Sequence, residues 1–170
     1  MRIGTPWSRT ARLAILPAVA TVLAASPFFG PPHITVSAVN GTPPTPGAVF
    51  AITTEHHTEE EWAEVSAQAV TMRGGKRVEQ ALEITRSSTR GRYGVRKQWE
   101  IGAPVLLVFT IKQGDHGAHG MASALVKIDA AGTVVGIENL TERNARGDVY
   151  PRGATQADLV KALTELRGEL

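Results

Sequence analysis

From His33 onward, short apolar or alternating runs recur between Gly, Pro, Asn and Asp signals. Runs of that length suit strands rather than helices, and the turn residues between them set where pairing stops. This punctuation confines the chain to a sheet protein. Eight strands are predicted, at residues 33–39, 49–55, 65–73, 76–85, 92–100, 105–113, 122–129 and 133–139. Gly74 and Gly75 between the third and fourth form the clearest local turn, because both central positions of a two-residue hairpin favour positive φ. In the second strand Phe50 and Ile52 share one face while Thr53 and Glu55 take the other. Tyr93, Val95 and Trp99 likewise share a face of the fifth, and Ala124, Val126 and Ile128 face the core from the seventh. The sixth is continuous from Val105 to Phe109 and then alternates through Ile111, the pattern of a central strand covered on both sides at one end. Residues 141–153 are polar and read as irregular. Beyond them Leu159, Leu163 and Leu166 follow helical spacing, with Thr155 and Asp158 placed for a capping box and Gly168 for the close. That helix carries little apolar surface, so the sequence leaves it free to fray or to leave the domain.

The N-terminus has a different character. Arg2, Arg9 and Arg12 precede the apolar stretch 13–25, the n-region and h-region of a secretory signal, with cleavage expected after Ala25. An uncleaved anchor over residues 13–29 is the rival, but it is shorter than the roughly 20 apolar residues of a spanning helix and is broken by Pro17. The expected organisation is a signal peptide at 1–25, an extended proline-bearing lead-in at 26–32, a β-sandwich domain at 33–140, and a polar linker with a C-terminal helix at 141–170. Without the three leading arginines the 18 basic residues fall to 15 against 16 acidic ones. The mature chain therefore lacks the basic surface that nucleic-acid binding requires. A periplasmic or secreted location follows, with membrane association only if the signal segment stays uncleaved.

The absence of cysteine excludes disulfide scaffolds, iron–sulfur clusters and thiol nucleophiles. With thiolates excluded, histidine is the donor that points to a transition metal. In a sandwich whose strands reverse in turn, the end reached by the second strand is reached again by the sixth. His56 and His57 follow the second strand, and His116 and His119, in an H-x-x-H spacing among three glycines, follow the sixth. One rim is expected to carry residues 54–62, 86–92 and 113–121. Transition-metal sites use three or four convergent imidazole, carboxylate or thioether ligands, so His56, His57, His116 and His119 are the candidate ligands for copper or zinc. Asp115 and the neighbouring glutamates are the only hard donors if calcium binds instead. The same residues also suit a solvated polar turn. Met121 reads as an apolar residue opening the next strand, His33 as an exposed strand start, and Arg90 and Arg92 beside Ser87, Ser88 and Thr89 as a basic turn. No nucleophile elbow, phosphate loop or H-E-x-x-H helix is present, and the chain is read as a non-enzyme.

The stretch Gly91-Arg92-Tyr93-Gly94-Val95, continuing through Trp99 and Gly102 to Val105-Leu106-Leu107-Val108-Phe109, resembles the YtkA-like and FixH-like extracytoplasmic domains. The likeness spans the middle third of the chain and is a strand pattern. It implies an all-β, immunoglobulin-like antiparallel β-sandwich of about seven to eight strands with a short C-terminal helix. Relatives of that architecture are associated with copper handling or with assembly of membrane oxidases, so it permits a metal or an envelope protein as partner. It assigns no residue, and Val105 stands where the pattern often has Trp. The expected function is an exported, non-catalytic binding module that takes copper or zinc through the histidine rim. The alternative is a structural or interaction module of the cell envelope without metal.

Overall fold

The computed structural model describes residues 32–55, 64–114 and 120–168. Two antiparallel sheets face each other. The first holds β1 (His33–Ala38), β2 (Ala48–Glu55), β6 (Arg92–Arg96) and β5 (Thr85–Arg86) as neighbours in that order. The second holds β4 (Lys76–Ala81), β3 (Glu64–Arg73), β7 (Val105–Lys112), β8 (Met121–Ile128) and β9 (Val134–Asn139) in that order. In immunoglobulin lettering this is A-B-E-D facing C′-C-F-G, with β9 added beyond G, so the expected sandwich is the observed one. Gly74 and Gly75, both at positive φ, join β3 to β4 in a two-residue turn that pairs Arg73 with Lys76.

Alternation builds the main core. Ile34 and Val36, Phe50 and Ile52, Val95, and the odd residues of β7 from Val105 to Ile111 all point between the sheets. Trp99 and Phe109 flank the Phe50 ring at centroid separations of 5.9 and 6.1 Å, and Tyr93 packs half-buried against the same cluster. Trp99 belongs to the connection after β6 rather than to a longer strand, since β6 ends at Arg96. Gly94 is fixed by close approach: a Cβ there would lie 1.9 Å from Thr45 Oγ1 and 2.9 Å from the Ala48 Cβ. The turn before β2 thus lies directly on β6, which gives the glycine in the Gly-x-Tyr-Gly stretch a packing reason.

The expected fourth strand, 76–85, is two elements. Leu82 turns into the core and donates its N–H to the Ala67 carbonyl at 2.9 Å, and the chain crosses to the other sheet as β5. At the crossing the Gln98 carboxamide replaces a strand partner: its Oε1 accepts from Glu83 N and its Nε2 donates to Glu83 O, each at 2.9 Å. The segment expected to be irregular contains a short antiparallel ribbon, β10 (Thr141–Arg143) with β11 (Val149–Pro151). Asn144 Oδ1 closes its turn by accepting from Arg146 N and Asp148 N.

The helix α1 (Gln156–Leu166) has the anticipated box, with Asp158 N donating to Thr155 Oγ1 and Thr155 N donating to Asp158 Oδ2. It neither frays nor leaves. Leu159, Ala162 and Leu163 pack on Val70, Leu106, Val108 and Leu125, the outward residues of β3, β7 and β8. A second apolar layer forms there, and it is why β7 is buried on both faces from Val105 to Phe109. Ion pairs hold the helix at both ends. Arg152 binds Asp158 through two hydrogen bonds of 2.6 and 2.7 Å, while Lys127 of β8 bonds Glu165 and lies 3.5 Å from Glu138. The Arg152 guanidinium, helped by the Thr155 hydroxyl and N–H, holds the Asp158 carboxyl far below the usual carboxylate range. Glu165 in turn raises the Lys127 ammonium above its ordinary value against the opposing effect of burial. Among the described residues no helix is long and apolar enough to cross a membrane.

Candidate functional site

Strand register brings the described residues that flank the histidine-bearing segments to one end of the sandwich. Glu55, which directly precedes His56, is the last residue of β2 and stands opposite His33 of β1. Glu64, where β3 begins, pairs with Lys112 at the end of β7, and Lys112 pairs on its other side with Met121 at the start of β8. Gln113 donates its N–H to the Gly120 carbonyl at 3.1 Å, closing the base of the segment that carries His116 and His119. Gly91, at the end of the β5–β6 turn, accepts from Thr54 N at 2.8 Å. The described bases of the expected rim therefore share one end, the end at which variable domains carry antigen-binding loops.

His56, His57, His116 and His119 lie outside the described residues, as do Asp115, Glu59 to Glu61 and Trp62. Among the described residues no group of three or more His, Cys, Asp or Glu is placed to hold a metal ion. Met121 opens β8 with its side chain exposed. In the β5–β6 turn the Ser87 hydroxyl accepts from Thr89 N at 3.2 Å and Ser87 N donates to Arg92 O, so this basic turn is self-closed.

His33 opens β1 as the exposed strand start that was expected, in the last rung of the β1–β2 ladder beside Glu55. Two features at this end were missed in the sequence reading. One is a cavity of about 270 Å³ edged by His33 and bounded by Thr35, Ser123, Thr141 and Tyr150, between β1 and the β10–β11 ribbon. The other is Gln113, which follows Ile111 in the inward alternation of β7 and is completely enclosed. Its position was legible, since the odd residues of β7 up to Ile111 already mark the core face. A larger groove of about 390 Å³ lies toward the opposite end, where Trp99, Val78 and Ile101 are bordered by the Arg73–Glu100 ion pair. It offers apolar surface and no histidine.

No family model matches this chain, and no curated protein or solved structure matches it significantly.

Proposed function

We propose that this chain is an exported, non-catalytic binding module whose immunoglobulin-like sandwich presents a histidine rim that takes copper or zinc. The supporting observation is the single row Glu64–Lys112–Met121, joined at the same end by Glu55, Gly91 and Gln113. In sequence the four histidines stand within three residues of Glu55, Gln113 or Gly120, a chain length that would let imidazoles share one ion. The resemblance to YtkA-like and FixH-like domains supports an extracytoplasmic role and agrees with a copper ligand. Imidazole donors suit copper(II) and zinc better than calcium.

Calorimetric titration of the tag-free mature chain with copper(II) and with zinc, beside a His116→Ala/His119→Ala variant, tests the reading. Saturable binding in the parent that the variant loses is the expected result, and binding retained in full by the variant contradicts it. Intact mass of the exported protein tests the signal, with a mature chain expected to begin at Ser26.

The envelope interaction module stays as the second reading because of one edge. Among the described residues β9 has no strand partner beyond β8, and it exposes Val135 and Ile137; unpaired apolar edges of this kind invite strand addition. A chain that binds no metal yet pairs specifically through β9 favours it.

A further inference from the structure

Among the described residues the two facing sheets end in four edge strands, and one of them is unlike the rest. β5 is two residues long. β4 carries Lys76, Arg77 and Glu79 among its six residues, and the exposed side chains of β1 are His33, Thr35 and Ser37. Shortness and polar or charged side chains keep free edges from pairing. β9 is guarded by neither. Its exposed large side chains are Val135 and Ile137, and its single charge, Glu138, lies 3.5 Å from the Lys127 ammonium. Ile137 shares the inward face of its ladder partner Val126, yet it is 42% exposed where Val126 is enclosed.

The ladder to β8 decides which backbone groups β9 offers. Leu140 N donates to Ser123 O at 2.9 Å, continuing the register that pairs Glu138 with Leu125 and Gly136 with Lys127. Hydrogen-bonding residues alternate along an antiparallel pair, so Gly136, Glu138 and Leu140 turn their backbone groups to β8 while Ile137 and Asn139 turn theirs to the free edge. An antiparallel strand centred on Ile137 meets those groups. If that strand is a second β9, Ile137 opposes Ile137, and each Glu138 stands opposite Gly136 instead of opposite the other Glu138. The fit extends to charge. A Cβ on Gly136 would lie 3.7 Å from Lys127 Cδ, so the lysine stem passes over this glycine on the face where the second copy's Glu138 arrives.

We propose that β9 is a self-pairing edge, through which two copies of this chain join in a two-fold antiparallel ladder that links their five-stranded sheets edge to edge. At the axis the two Ile137 residues exchange a pair of backbone N–H···O bonds and cover each other's side chains, and Lys127 with Glu138 of the other copy flanks them. The proposal names the partner for the β9 edge of the second reading above, rests on that edge, and involves no metal.

The chain has no cysteine, so a single introduced one reports contact between copies without background. All measurements are made in EDTA, which removes association bridged by metal. Sedimentation of the parent should show a reversible dimer. Ile137→Lys sets like charges opposite each other at the axis and should raise the dissociation constant about tenfold or more, with the urea midpoint of the dilute protein unchanged. Ile137→Cys should form an interchain disulfide under mild oxidation, because hydrogen-bonded partners stand about 5.5 Å apart at Cα, within disulfide reach. Asn139→Cys, displaced from the axis, and Val78→Cys, on the guarded β4 edge, should stay unlinked. If Ile137→Lys fails to fold, the Ile137→Cys crosslink decides. A parent that stays monomeric up to about 1 mM overturns the proposal alone, since the interaction-module reading needs only an extended strand of another protein at the same edge. A dimer that survives Ile137→Lys, or that crosslinks as readily through Val78→Cys as through Ile137→Cys, overturns it and takes the β9 edge from that reading as well.

Discussion

Strand β7 passes through two regions that treat polar groups in opposite ways. Where α1 covers the second sheet, the charged groups around it are matched: Arg152 with Asp158, and Lys127 with Glu165 and Glu138. Eight residues along from its start, at the rim, the same chain buries Gln113 with no partner among the described residues. The helix-covered face pairs its charged groups, and the rim end carries a buried amide unpaired among the described residues. The contrast separates a face whose charged groups are paired from the end that we propose receives a ligand.

The largest effect should come from the core that both regions share. Phe109→Ala, at a fully buried site beside Phe50, should destabilise by about 3–5 kcal/mol in urea or thermal denaturation. An unchanged midpoint would mean the sheets do not meet as described. Next is the rim. Metal present at 100 times its dissociation constant should stabilise the parent by about 2.7 kcal/mol, a gain missing from the His116→Ala/His119→Ala variant. That gain should fade below about pH 6.5, because a protonated imidazole cannot ligate.

On the helix side, Asp158→Ala removes the reciprocal half of the capping box, the bond from Thr155 N, together with the bidentate pair to Arg152, and should cost about 2 kcal/mol near neutrality. The Asp158 carboxyl is held below its unfolded value, so its contribution is complete above about pH 4 and is lost as pH falls through the folded pKa. The gap between parent and variant midpoints should accordingly stay flat from pH 7 to about pH 4 and narrow below it. The smallest effect is expected from Lys127→Met. The Lys127 ammonium is raised in the folded state, so its contribution is present at neutral pH and disappears only as alkaline pH passes the folded value. Parent and variant should converge at high pH, and a difference that persists there would assign the loss to packing of the lysine stem.

Much of the sandwich was legible because alternation and turn chemistry are local. The unbroken burial from Val105 to Phe109, the Gly74–Gly75 turn and the Thr155–Asp158 box were all written within a few residues of where they act. What escaped depends on distant partners. The break after Ala81 is stabilised by Gln98, fifteen residues beyond the Glu83 backbone that it bonds. The docking of α1 rests on Leu106 and Val108 of β7 and on Lys127 of β8, none of which local helical spacing reveals. At the rim, parity of strand reversals identified the shared end. It could not reveal the enclosure of Gln113, which depends on how distant elements pack around the end of β7.

The placement of α1 also has a consequence for biosynthesis. The chain is synthesised from its N-terminus, so β3, β7 and β8 can pair before residues 156–166 arrive. During that interval the outward side chains of Val70, Leu106, Val108 and Leu125 form a bare apolar strip on a completed sheet. Such a strip is a natural target for a holdase and a natural seed for self-association. A chain cut ahead of Gln156 would keep the strip exposed for its whole lifetime, so clipping of the C-terminal region would leave the domain adhesive.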